Sequence, residues 1–191
     1  MLFTNIADAQ SWSNNFHCLP ENYDLDKSFT QISKKNHKQK LRQLQSSLIQ
    51  NGYLATGIDS VSIDDSLWKM DIYIHSGDFY SFSRLTFNEE NEDALGSSGF
   101  REKLFSNKPF NPQQLSKLFD KVLTFYENNG FPFASIKLDS ITFNNDQLSS
   151  KLLIDKGPLI RIDSIFVKGE VQNSNKLIYN ILKIDPNDIY Q

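Results

Sequence analysis

The chain has 191 residues, 39% of them hydrophobic and 23% charged, with 15 Phe and 7 Tyr. That balance excludes a disordered polymer and fits small cores filled by large side chains. A net charge of −3 argues against a nucleic-acid surface over the whole chain, and a single cysteine, Cys18, excludes an intrachain disulfide. No apolar run reaches the roughly 20 residues that span a bilayer as a helix.

Residues 1–13 are polar and aperiodic and read as a disordered tail. Ala7-Asp8-Ala9 has the small-x-small pattern of a signal-peptidase site. A signal-peptide remnant and a flexible tail are both open readings. A short strand is expected over 15–19, closed by Pro20, and a short helix over 24–32. Leu41, Leu44 and Leu48 then keep helical spacing, behind Asn36 as N-cap, and Gly52 ends the helix. Two strands follow, about 53–63 and 67–75. Trp68, Met70, Ile72 and Ile74 alternate on one face of the second, and Gly77 closes it.

The same order then returns. A strand near 79–88 leads through a polar loop, 88–98, to a short helix near 99–106. Asn111-Pro112 opens a long helix striped by Leu115, Leu118, Phe119, Val122, Phe125 and Tyr126. Strands are expected at about 131–144 and 147–155. A third start supplies a strand at 159–168 and a helix at about 173–183. The Asp185–Tyr190 stretch reads as the lead-in to another helix.

Gly52-Tyr53 and Gly130-Phe131 stand 78 residues apart, and Gly77 and Gly157 stand 80 apart. A period near 79 is too long for the common helical solenoids and suits tandem domains with separate cores. The units drawn from it are 14–77, 78–157 and a truncated third, 158–191. The four glycines stand singly at element ends, which makes them structural punctuation rather than phosphate loops.

One pattern recurs in the middle strands. Ile58 gives way to Val61 and Ile63 across Asp59-Ser60, and Ile136 and Leu138 give way to Ile141 and Phe143 across Asp139-Ser140. A strand changes parity only through an inserted residue or by being apolar on both faces. A bulge or sharp twist is expected at both Asp-Ser pairs, with a strand apolar on both faces as the alternative. Asp163-Ser164 shows the same switch.

Candidate chemistry is sparse. The Asp-Ser pairs raise a hydrolase, but His17, His37 and His75 keep no useful spacing to them and no G-x-S-x-G elbow exists. The same histidines with Cys18 lack zinc-site spacing, so no metal or cofactor is expected. Lys34, Lys35, Lys38, Lys40 and Arg42 cluster, either toward phospholipid headgroups or nucleic acid or, more simply, as a solvated helix face. Tyr53, Phe131 and Phe133 fit either a grip on a bound chain or packing.

The helix with its Gly-aromatic step (QNGYLATGIDSV, NNGFPFASIKLDSI), the strand ending in glycine (YIHSGDFYSF, IDKGPLIRI) and the strand running into IFVKGE resemble POTRA domains, the polypeptide-transport-associated modules of BamA-type outer-membrane assembly factors. The pattern covers about 36–191, with 14–35 fitting loosely. The sequence departs from it at NEENEDALG after Phe87, and no C-terminal β-barrel is present. The resemblance implies an α+β fold of strand-helix-helix-strand-strand units. Each unit has a three-stranded mixed sheet, the first and middle strands at its edges, and two helices on one face.

The resemblance also implies a non-enzymatic, periplasmic module of a diderm bacterium. Its partners would be unfolded outer-membrane proteins and accessory periplasmic proteins or lipoproteins, with the outer membrane reached through the missing barrel. No nucleic acid is implied. Clients would add to the bare margins of the middle strands. The residues marked for this are Tyr53, Ile58, Val61 and Ile63, and Phe131, Phe133, Ile136, Leu138, Ile141 and Phe143. A POTRA module of a secretion pore or division protein, and a small periplasmic hydrolase using His75, are the alternatives. The cut-off third unit is expected to be poorly ordered, to pack on the second, or to pair with another copy.

Overall fold

A computed structural model describes residues 12–21, 23–30, 32–164, 181–184 and 187–190. Contacts group the chain into two compact units. The first contains residues 1–82, 108–112 and 145–147, and the second contains 83–107, 113–144 and 148–191.

The first sheet contains β1 (Ser13–His17), β2 (Gly57–Asp64) and β3 (Lys69–His75) in the order β1-β3-β2. β1 runs parallel to β3 and β2 antiparallel to it, so the sheet is mixed. One helix, α1 (His37–Gln50), lays Leu41, Leu44 and Leu48 on Met70, Ile72 and Ile74 of β3, with Phe29 and Ile32 completing the core. Each fully buried side chain of this kind contributes roughly 1.5–3 kcal/mol.

Local geometry differs from expectation at five places, the first being β1, which covers Ser13–His17 rather than 15–19. The helix expected over 24–32 is one 3-10 turn, Lys27–Phe29, in which Asp26 accepts from the Ser28 N–H at 2.7 Å. Asn36 sits at the N-cap of α1 but turns back, accepting from the Ser33 N–H and Oγ, and does not cap. β2 begins at Gly57 rather than Tyr53. The Tyr53 N–H returns to the Leu48 carbonyl, and the Thr56 N–H to that of Tyr53, which uses up the backbone as a turn. Trp68 does not join the Met70–Ile74 face, because its φ of 51° places it in the turn ahead of β3.

The parity switch of β2 is an inserted residue. Ile58 lies opposite Ile74 while Ser60 lies opposite Tyr73, leaving Asp59 between them. Val61 and Ile63 then face Ile72 and Met70, so all three apolar residues of the strand meet the core.

The second sheet contains β4 (Ser81–Thr86), β5 (Lys108–Pro109), β6 (Ser135–Asn144) and β7 (Gln147–Asp155) in the order β5-β4-β7-β6. The Ser81 N–H bonds to Asp146 O, and Thr86 Oγ1 to Ser150 O farther on, so β4 and β7 run the same way. The expected three strands are thus joined by a fourth, two-residue strand antiparallel to β4. Pro109 permits this because it stands on the outermost strand, where a missing N–H costs least.

Helix α3 (Pro112–Glu127) buries Leu115, Leu118, Val122 and Tyr126, with Phe119 and Phe125 half-buried beside them. The stretch expected as a polar loop, 88–98, holds a 3-10 turn, Glu89–Asn91, and α2 (Glu92–Ser97). The expected helix near 99–106 is only one 3-10 turn, Glu102–Leu104. Helix α2 forms because Ala94 and Leu95 are buried, while Glu92 and Asp93 sit where the helix dipole favours negative charge. Asn91, 1% exposed, accepts the Tyr126 hydroxyl at 2.8 Å and ties the start of α2 to α3.

The sequence repeat is visible bond for bond. Tyr53 N–H donates to Leu48 O, and Phe131 N–H to Tyr126 O. The carbonyl of Gly52 accepts from Tyr80 N–H at 2.8 Å, and that of Gly130 from Ile160 N–H at 2.7 Å. All four landmark glycines have positive φ, from 66° to 93°.

From the third start, Leu159 and Ile189 crowd the hydrogen side of Gly130, and Arg161 bridges Ile189 in antiparallel fashion. Residues 159–164 otherwise form no strand. The remainder of the expected strand at 159–168, most of the helix at 173–183, and residues 1–11 lie outside the described residues.

Candidate functional site

The candidate site is a pair of strand margins. β2 is outermost in the first sheet and β6 in the second, each hydrogen-bonded to a described strand on one side only. β1 is the other margin of the first sheet. β4 is not a margin along its whole length, since β5 covers Ser81 and Phe82. An outermost strand carries a row of backbone N–H and C=O groups directed away from its sheet, which is the chemistry needed to add an extended chain.

The side chains marked on these strands fall into three groups. Ile58, Val61 and Ile63 of β2 pack on their own core and leave backbone, not side chains, at the margin. Ile136 and Leu138 are half-buried, whereas Ile141 and Phe143, farther along β6, are 48% and 58% exposed. Tyr53, Phe131 and Phe133 precede the strands and are not part of them. Tyr53 meets Phe79 edge-on at 5.6 Å, Phe131 meets Tyr126 edge-on at 6.2 Å, and Phe133 is 68% exposed in a turn.

Both margins are interrupted. Asp59 bulges from β2. In β6 the break falls at Ser140, whose φ is 52°, while the Asp139 carbonyl accepts from Ser150 Oγ at 2.9 Å. Bulges and charges such as Asp59, Asp64, Lys137 and Asp139 blunt an edge against indiscriminate pairing. The stretches beyond the interruptions are short, 60–64 in β2 and 141–144 in the far part of β6.

β1 is held to β3 by a polar cluster as well as by backbone. Asp71 accepts from Asn15 Nδ2 at 2.9 Å, approaches His17 Nε2 at 3.2 Å and pairs with Lys69 Nζ at 3.1 Å. The Asn15 amide first, then His17 and Lys69, lower its pKa from 3.8 to about 2. A lowered carboxylate pKa contributes stability above the unfolded value, and the contribution is lost as pH falls through the folded value. Amide protection over residues 13–17 should therefore weaken between about pH 4 and 2, and an Asp71→Asn variant should show no such step. Hydrogen exchange followed by NMR checks this.

The remaining candidate groups do not assemble. His37 Nδ1 contacts the Lys34 carbonyl at 2.6 Å, His17 stacks on Tyr73 at 4.4 Å, and Cys18 is exposed. Among the described residues no three His, Cys, Asp or Glu side chains could hold a metal ion. Ser140 Oγ donates to its neighbour Asp139 at 2.9 Å, which binds its proton locally rather than to a histidine. In the basic cluster, Lys34 pairs with Asp65 at 2.6 Å and Lys40 lies over the Phe29 ring, while Lys35, Lys38 and Arg42 are exposed.

Sequence reasoning missed β5 and α2. The signal for α2 was present in four acidic residues at 89–93 immediately before Ala94-Leu95. A two-residue strand such as β5 leaves no periodic signal.

No family model matches the chain. Over 89 residues, 46% of its length, it is 27% identical to the outer membrane protein assembly factor BamA of Buchnera aphidicola subsp. Acyrthosiphon pisum. The chain spans 14% of the length of that relative. It superposes on a crystal structure of Haemophilus influenzae BamA POTRA domains 3–5 with a TM-score of 0.53 and 14% identity, covering 95% of this chain and 80% of that one. A BamA from Haemophilus ducreyi lacking POTRA domains 1–3 aligns over 75% of this chain and 29% of its own, with a TM-score of 0.44 and 13% identity.

Proposed function

We propose that this chain, a tandem array of POTRA-fold modules similar in sequence to a BamA-type assembly factor, is the periplasmic segment of an outer-membrane protein assembly factor. The modules are 14–77 and 78–157, with a third beginning at 158. The segment acts without catalysis, holding unfolded β-barrel precursors or partner proteins along β2 and β6. The observation that carries this reading is the position of both middle strands at the margin of their sheets.

Backbone pairing suits a receptor for many clients, because every extended chain offers the same donors and acceptors. The inward-facing Ile58, Val61 and Ile63 leave β2 with backbone recognition alone. The exposed Ile141 and Phe143 add an apolar component on β6. No described helix is long and apolar enough to cross a membrane.

Cysteines placed at the exposed Ser62 and Thr142, in a Cys18→Ser background, test the reading. Disulfide trapping with single-cysteine peptides from an outer-membrane β-strand should give adducts at both positions and far fewer at a cysteine on α3, such as at Lys117. Equal trapping at all positions, or trapping on the helix alone, contradicts it.

A further inference from the structure

We propose that one end of the first sheet docks on an anionic phospholipid surface, inserting Leu67 and Trp68 while the basic face of α1 meets the headgroup phosphates. This does not rest on the strand-margin reading and uses a different part of the chain. The first observation is an outward apolar tip. Asp64 Oδ1 accepts from the Ser66 and Leu67 N–H groups at 2.9 and 3.0 Å and shapes the β2–β3 turn. At its crest Leu67 is 71% exposed and Trp68 39% exposed.

Trp68 is held there against its backbone preference. Its φ is 51°, a region that bulky residues avoid. The Ser13 N–H fixes its carbonyl at 2.9 Å, and Trp12 packs on its ring at 5.5 Å. Both tryptophans of the chain are in this one cluster. Neither Leu67 nor Trp68 is among the side chains packed on the core of the first unit, which Trp68 reaches only through Trp12.

The second observation is charge. The chain as a whole is acidic, yet no Asp or Glu occurs between Asp26 and Asp59, where six Lys and Arg residues stand. Lys35, Lys38 and Arg42 line one shallow cavity of about 730 Å³ that contains no carboxylate. The ion pair of Lys34 with Asp65, at 2.6 Å, places the lead-in to α1 beside the turn carrying Leu67 and Trp68. Within α1, Arg42 follows Lys38 by about 6 Å along the helix axis.

A tryptophan-leucine tip, with Lys69 after it and Lys34 neutralising Asp65 beside it, next to the basic start of α1 matches the two layers of a membrane interface. Tryptophan rings sit at the headgroup level, and lysine and arginine meet anionic phosphates. An acidic polypeptide would satisfy the basic face and leave the tip exposed.

Intrinsic fluorescence tests the proposal, because Trp12 and Trp68 are its only tryptophan reporters. Vesicles of phosphatidylethanolamine and phosphatidylglycerol should shift emission to the blue and sediment the full chain, and phosphatidylcholine vesicles should do neither. A Leu67→Ser variant keeps both tryptophans and should bind at least tenfold more weakly. Joint replacement of Lys35, Lys38 and Arg42 by Gln should do the same and remove the salt dependence. Unchanged circular dichroism would show that both variants fold. Equal binding to both vesicle types, unaltered binding by either variant, or binding to polyglutamate with none to vesicles would overturn it.

Discussion

A Gly52→Ala variant is expected to lose about 3 kcal/mol or more of stability, the sum of two separate costs. Gly52 has φ +93°, where an L-residue is strained by roughly 1–3 kcal/mol. An added Cβ would also lie 2.5 Å from the Tyr80 carbonyl oxygen and 3.0 Å from the Phe79 ring. The carbonyl is backbone and cannot swing away as a side-chain tip could. For a domain of 60–100 residues, this corresponds to a melting-point drop of about 12–24 °C. Gly57→Ala is the control, since nothing lies within 4 Å of its added Cβ and its φ is not left-handed. Thermal melts of the two variants check the argument. Equal stability of the pair would show that the Gly52 turn is not fixed as described.

Replacing Ile72 by alanine should cost roughly 2–5 kcal/mol, the range for deleting a fully buried branched side chain and leaving a cavity. Ile72 is 0% exposed at the middle of β3. It lies opposite Phe16 of β1 and Val61 of β2, so the cavity loosens both neighbouring strands at once. Small domains bury a modest share of their surface and have little stability to spare. Denaturant unfolding should show a lower midpoint. An unchanged midpoint would place Ile72 outside the core.

The two long helices were legible because Leu41, Leu44 and Leu48, and Leu115, Leu118 and Val122, keep helical spacing before an asparagine-glycine step. The bulge in β2 was legible as a choice between two alternatives. The structure selects the inserted residue because the three apolar side chains then share one core. The entrances to β2 and β6 were misread. Tyr53 and Phe131 have strand propensity, yet each sends its N–H back to the preceding helix. Tertiary hydrogen bonding outweighed propensity there. Trp68 was placed on the buried face by its parity alone, and its left-handed φ has no signature in alternation.

The candidate margins were legible only through resemblance. Whether a strand is outermost depends on what else pairs with it, which a single sequence does not encode locally. β5 illustrates the limit. Its two residues carry no pattern, yet they cover the start of β4 and remove it from the list of open margins. The exposure of Ile141 and Phe143 likewise depends on tertiary packing and not on their alternation.

The most direct measurement is residue-resolved hydrogen exchange of the free protein at neutral pH. Within 60–64 and 141–144 every second amide should be protected through β3 or β7. The amides between them face outward and should exchange as freely as turn residues, while β3 and β7 are protected throughout. Uniform slow exchange along both segments would mean that something already occupies the outer sides of β2 and β6, and the proposed receptor role would then have no surface to use.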